Sequence, residues 1–142
     1  MTTFNPCPKP VKAPKKPRKP MPRKSKKRIA QHASPEGKNG LSHMGAVRSL
    51  PCIGCGTTRN VKAHHCKDKP PKDMEWIYEV IPYGCKSGPT DTIPLCDPGC
   101  HKDSGYGYHD NRPEFHRRHG FDYLHILPTR AAVAAMLGEI DY

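Results

Sequence analysis

The sequence predicts a small α+β domain held together by cysteines rather than by a large apolar core, preceded by an unstructured basic arm. Three observations lead there. Hydrophobic residues make up only 35% of the 142 residues while prolines number 17, so there is little apolar surface to bury and the chain needs staples. Seven cysteines include two closely spaced pairs, Cys52 with Cys55 and Cys96 with Cys100. From about Gly40 onward, short apolar clusters alternate with Gly and Pro, with no internal repeat.

The arm comes first. Residues 1 to 28 carry eleven Lys or Arg and no acid, and seven prolines fall between Pro6 and Pro22. The remainder balances at 13 basic against 13 acidic residues, which places the whole net charge of +11 in the arm. Proline removes backbone donors and fixes φ, so a disordered tail is expected over 1–38 and a folded domain over 39–142. A mobile polycation binds polyanions by releasing condensed counterions, and nucleic acid is the expected partner. Its contacts would be Lys15, Lys16, Arg18, Lys19, Arg23, Lys24, Lys26, Lys27 and Arg28. The same composition also suits a solubilising tail or a localisation address. No apolar run has the flanks or length of a signal peptide or membrane span, so no membrane partner and a reducing, cytoplasmic location are expected.

Within the domain, residues 43–50 suit one or two helical turns with Val47 and Leu50 facing inward. Residues 61–65 form a short strand, and 92–95 form a second one in which Pro94 marks an edge or strand end. Between them the chain is broken by prolines, with a strand or packed turn at 76–81. The stretch 96–108 is glycine-broken, and 113–119 reads as a short helix stopped by Gly120. A last helix over 130–137 is capped by Thr129 and ended by Gly138, its Ala-Val-Met-Leu face serving for packing.

Paired cysteines at short spacing in a reducing compartment hold metal more often than each other. Cys52-Ile-Gly-Cys55-Gly56 is a zinc-knuckle pattern, and its glycines allow backbone amides to turn toward the thiolates. With Cys96-Asp-Pro-Gly-Cys100 it offers four thiolates for a structural Zn²⁺, a closed shell with no position for chemistry. Cys66 and Cys85 are then an accessory metal pair or, the favoured reading, buried thiols.

Nine histidines are many for this length, and His64, His65, His101 and His109 lie near the cysteine motifs. His64 and His65 are adjacent on a strand, so their side chains leave on opposite faces and must have different tasks. The cysteine staple would bring His101 toward them. His32, His43, His116, His119 and His125 read as surface or packing residues, with His43 and Arg48 as further candidates for touching DNA.

Taken as a set, Pro51-Cys-x-x-Cys-Gly56, Ala63-His-His65, Asp91-x-x-Pro-Leu-Cys96, Cys100-His101, His109, Phe115 and His119-Gly-x-Asp122 resemble the HNH (ββα-metal) endonucleases. Within that superfamily the pattern is similar to the phage Ref-type recombination nuclease group. The resemblance spans residues 41 to 123. It implies a zinc-stapled, treble-clef-like ββα-metal finger with flanking short helices. It implies His65 as general base and His64 as a catalytic-metal ligand, with His101 and His109 completing the ligand set. His109 is displaced from the family's His-x₃-His spacing by residues 104–108. The family's middle Asn falls at Asp91, which would accept loop hydrogen bonds or orient His65 but could not donate as Asn does.

The implied activity is metal-dependent hydrolysis of DNA phosphodiesters in phage recombination or DNA processing, inside a bacterial host cell. A recombinase filament is an implied partner. An imidazole near neutrality suits a base, and one divalent ion would stabilise charge on the phosphorane. Three imidazole ligands favour Zn²⁺, Ni²⁺ or Mn²⁺ over Mg²⁺, although open water-filled positions admit Mg²⁺ too. The rival reading is a noncatalytic zinc-ribbon protein that binds DNA.

Overall fold

A computed structural model describes residues 24–77 and 85–138. Its elements, in chain order, are α1 (Lys26–Ala33), α2 (Pro35–Ser49), β1 (Val61–His65), β2 (Thr92–Cys96), α3 (Arg112–His119) and α4 (Ile126–Leu137). Single 3₁₀ turns lie at Lys72–Met74 and Asp122–His125. The fold is therefore small and α+β, as the sequence predicts.

β1 and β2 form a two-stranded antiparallel sheet with His64 opposite Ile93, His65 opposite Thr92 and Lys62 opposite Leu95. Side chains alternate across a strand, so Lys62, His64, Ile93 and Leu95 share one face and Ala63, His65, Thr92 and Pro94 the other. The first face meets the larger core, in which Ile93, Leu95, Tyr108, Phe115 and Ile126 are buried. Each such side chain contributes roughly 1.5–3 kcal/mol of transfer free energy. Against the second face Ala63 packs on Ala46, Val47, Leu50 and Val133, which α2 and α4 deliver. The sheet is thus clamped between helices on one side and the 97–111 loop with α3 on the other, and β2 is buried throughout.

Three expectations are corrected. The structureless tail does not extend to residue 38: Ser25 caps α1 by accepting the Arg28 N–H at 3.2 Å, and Ser34 caps α2 by accepting the Gly37 N–H at 3.1 Å. The one or two turns at 43–50 are the end of a 15-residue helix. α4 begins four residues before Arg130, so Thr129 sits buried inside it rather than at its cap. In that helix Val133 packs as expected, whereas Met136 and Leu137 are exposed. The rest of the arm, 1–23, and most of the 76–81 patch lie outside the described residues. Among the described residues, no helix is long and apolar enough to cross a membrane.

Candidate metal centres

The first centre joins the turn before β1 to the end of β2. The sulfurs of Cys52, Cys55, Cys96 and Cys100 all lie within 4.8 Å of one another. Cys55 Sγ and Cys96 Sγ are 3.5 Å apart. A disulfide is about 2.05 Å long, whereas four sulfurs at about 2.3 Å from a central ion are spaced by about 3.8 Å. The cluster fits a tetrahedral thiolate site, and it could hold a structural metal such as zinc.

The backbone is shaped for that cluster. The Cys96 N–H donates to Cys52 Sγ at 3.4 Å and the Cys100 N–H to Cys96 Sγ at 3.3 Å. At Cys52, burial opposes ionisation, but N–H groups around residues 54, 55 and 96 outweigh it and hold the thiol below its ordinary pKa. Burial and the neighbouring sulfurs push Cys100 up, so four like charges need a cation between them. Gly54 is required by close approach: a Cβ there would lie 2.5 Å from Cys100 Sγ. The two remaining cysteines of the domain part company, with Cys66 buried and Cys85 exposed, so only Cys66 is the buried thiol expected. Cys7 lies outside the described residues.

The second centre uses imidazoles. His64, His101 and His109 each bring one ring nitrogen within 4.8 Å of the others, with ring centroids 4.8 to 5.3 Å apart. His109 belongs to this cluster although no helix carries it. The segment 102–107, which holds most of the 104–108 insertion, loops out, and the chain closes beneath it through Tyr108 N–H to Cys100 O at 2.9 Å and His109 N–H to His101 O at 3.0 Å. Ser104 and Gly105 N–H groups donate to Asp110 Oδ2 at 2.9 and 3.1 Å, which fixes the loop.

Burial lowers the pKa of all three imidazoles, that of His64 to about 4, so each presents a neutral ring at neutral pH. His64 is 2% exposed, and its Nε2 has no hydrogen-bond partner among the described residues; the same holds for buried His101 Nδ1. Buried polar atoms are ordinarily paired, so these rings are set for something beyond packing.

His65 points to the other face of β1. Its Nδ1 lies 2.8 Å from Ser87 O. A carbonyl only accepts, so Nδ1 carries the proton and Nε2 keeps its lone pair. Burial, offset in part by that hydrogen bond, holds His65 below its ordinary pKa. Asp91 governs the Ser87 loop through its main chain: Asp91 O accepts the Ser87 hydroxyl at 3.2 Å and the Cys66 N–H at 3.0 Å, and Asp91 N–H donates to Gly88 O at 3.1 Å. Its carboxylate turns to Arg130 and Thr90. Of the two roles expected of this carboxylate, accepting loop hydrogen bonds or orienting His65, its contact with Thr90 matches the first; Ser87 O orients the ring, and Asp91 holds Ser87 through its main chain.

Several site residues went unassigned from sequence. Asp122 is fully buried behind His64, with Oδ2 3.7 Å from His64 Nε2. Asp68 accepts from Tyr108 Oη at 3.0 Å and pairs with His116 Nε2 at 2.8 Å. His116, expected at the surface or in packing, is thus half-buried and joined to Asp68 and Tyr108 in one hydrogen-bond network. Asp122 falls in the His119-Gly-x-Asp122 motif and Asp68 three residues past His65, so both were near visible signals; Ser87 acts through its carbonyl and leaves none. His43 is buried on α2, which removes it as a DNA contact, while Arg48 is exposed. Of the basic arm, Lys24, Lys26, Lys27 and Arg28 are described and exposed, the last three on α1; Lys15, Lys16, Arg18, Lys19 and Arg23 lie outside.

Comparison with protein-family models, with curated proteins and with solved structures finds no match for the chain.

Proposed function

We propose that this protein is a metal-dependent endonuclease of the HNH type that hydrolyses DNA phosphodiester bonds. One observation carries the reading: a triangle of imidazoles, separate from the cysteine cluster, includes the strand neighbour of a fourth histidine whose Nε2 lone pair is kept free by Ser87. A structural zinc module needs only the closed thiolate shell; the additional histidines answer a different need.

In this reading His64, His101 and His109 would hold one divalent ion, Mg²⁺, Mn²⁺, Ni²⁺ or Zn²⁺, which would supply charge stabilisation at the phosphorane and the leaving oxygen. His65 Nε2 takes a proton from the attacking water as its oxygen bonds to phosphorus, and the bond from phosphorus to the leaving oxygen breaks. Ser87 keeps the base in its productive tautomer. Asp91 and Arg130 keep Ser87 in place. The basic arm holds the duplex nearby by electrostatics. The resemblance to phage Ref-type nucleases adds recombination or DNA processing as the setting, with a recombinase filament as partner.

Plasmid nicking by the full chain with added Mg²⁺, Mn²⁺ or Zn²⁺ tests this, with His65→Ala alongside and a repeat on recombinase-coated single strands. Metal-dependent cleavage that His65→Ala abolishes is expected. Absence of cleavage on both substrates, or full activity in the variant, would favour the alternative of a noncatalytic zinc-ribbon protein.

A further inference from the structure

Two of the three clustered histidines have a carboxylate stationed behind one ring nitrogen at the same distance. Asp122 Oδ2 stands 3.7 Å from His64 Nε2, and Asp97 Oδ2 stands 3.7 Å from His101 Nδ1. These are the two nitrogens of the cluster that are buried without a hydrogen-bond partner. Neither carboxylate belongs to the ligand cluster itself.

Asp122 is the more firmly built of the two. Its side chain is wholly buried, and it accepts the Lys67 N–H at 2.7 Å and the Asp68 N–H at 3.2 Å. Two backbone donors on one carboxylate favour its charged form. A fixed anion behind Nε2 draws the proton there and leaves the lone pair on Nδ1. Asp97 does the converse at His101, favouring a proton on Nδ1 and a lone pair on Nε2. A metal-ligating histidine needs such a partner, because an unanchored ring divides its population between tautomers and orientations.

We propose that Asp122 and Asp97 are positioning residues that set the tautomers of His64 and His101, so that Nδ1 of the first and Nε2 of the second are the donors to a divalent cation. The proposal rests on the imidazole triangle being a metal site. Neither residue touches substrate. The network continues outward, since Asp122 also donates its own N–H to Asp68 Oδ2 at 3.1 Å, and Asp68 is held by His116 of α3.

Asp122→Asn is the informative change. An amide keeps the shape, and the Lys67 N–H holds its oxygen in the Oδ2 place, so the change removes the negative charge that stands behind Nε2. Long-range ¹H–¹⁵N NMR of the full chain, with one equivalent of zinc in the cysteine site, reads the histidine tautomers, and Co²⁺ is titrated into the second site. The expected results are a wild-type His64 protonated on Nε2, a ring divided between its two tautomers in Asp122→Asn, and Co²⁺ affinity about 10- to 100-fold weaker. Asp97→Asn should shift His101 alone, and Asp122→Glu should restore part of the wild-type affinity. A wild-type His64 protonated on Nδ1, or an Asp122→Asn protein with unchanged tautomer and affinity, overturns the assignment. If the tautomers are as expected but His64→Ala leaves the second Co²⁺ site intact, the metal reading of the triangle fails instead, and with it the donors assigned here.

Discussion

Asp68 and Asp122, 54 residues apart in sequence, each accept the other's backbone N–H, at 3.2 Å into Asp122 Oδ1 and 3.1 Å into Asp68 Oδ2. This reciprocal clasp joins the segment after β1 to the turn before α4, and both carboxylates are buried. Replacing Asp68 by Ala strands the Tyr108 hydroxyl, His116 and the Asp122 N–H together. Each unsatisfied buried group costs about 1–3 kcal/mol, so a loss of about 3 kcal/mol or more is expected in urea unfolding of the zinc-loaded protein.

The cysteine cluster should govern folding outright. Binding energy at such sites is folding energy, and the apolar core here is small. Cys100→Ser, or chelation of the wild type, is expected to abolish the cooperative unfolding transition. Metal analysis and the thiolate-to-Co²⁺ charge-transfer band report whether the site is lost with it.

His64 predicts a pH dependence of defined sign. Burial lowers its folded pKa to about 4, against about 6.5 in an unfolded chain. Between those values the unfolded state binds the extra proton, so the stabilisation is complete above about pH 6.5 and is lost as pH falls toward 4. The shift corresponds to a loss on the order of 3 kcal/mol. Unfolding free energies of wild type and His64→Gln across this window check it, because their difference removes the titration of other groups, the cysteine site's included.

Arg130 holds the Asp91 carboxylate from α4, and Asp91 holds the loop that orients His65. Arg130→Ala should therefore lower the nicking rate about 10-fold, a part of the roughly 10²- to 10⁴-fold that a general base supplies. Co²⁺ affinity at the imidazole triangle should stay unchanged. An equal loss in both would mean that the helix packing, rather than the base, has been disturbed.

A truncation that spares the fold ends before Lys24, because Ser25 caps α1. Removing residues 1–23 is expected to weaken DNA binding and flatten its dependence on salt, since every phosphate left without its cation takes about one unit off the slope. Both strands and the cysteine site should remain. Fluorescence titrations at several salt concentrations measure this directly.

Much of this architecture was legible because its causes are local. The alternation at 61–65, the short spacing of the cysteines and the Gly120 and Gly138 stops each act within a few residues. α2 also had a local signature, Ser34-Pro35-Glu36, a cap followed by Pro in the first turn and an acid. Gly37, Gly40 and Gly45 hid it. Gly40 is there for a distant reason: a Cβ would lie 2.6 Å from Pro89 Cγ, so the helix can back the Ser87–Asp91 loop only without one. The Asp68–Asp122 clasp and the Ser87 carbonyl depend on tertiary closure, and no spacing announces them.

The closure of Tyr108 and His109 onto Cys100 and His101 has a consequence for how this chain can vary. Residues 102–107 hang from two anchored ends like a side chapel off a nave, and the spacing of the histidine rings is fixed at the doorway. Lys102 O and Ser104 Oγ are tied to Gly99 and Gly107 has no room for a Cβ, so it is at the open tip around Gly105 that chain can be added while that geometry is kept. The loop is thus a place where the protein can acquire a new surface, natural or engineered, beside its imidazole triangle without retuning the triangle itself.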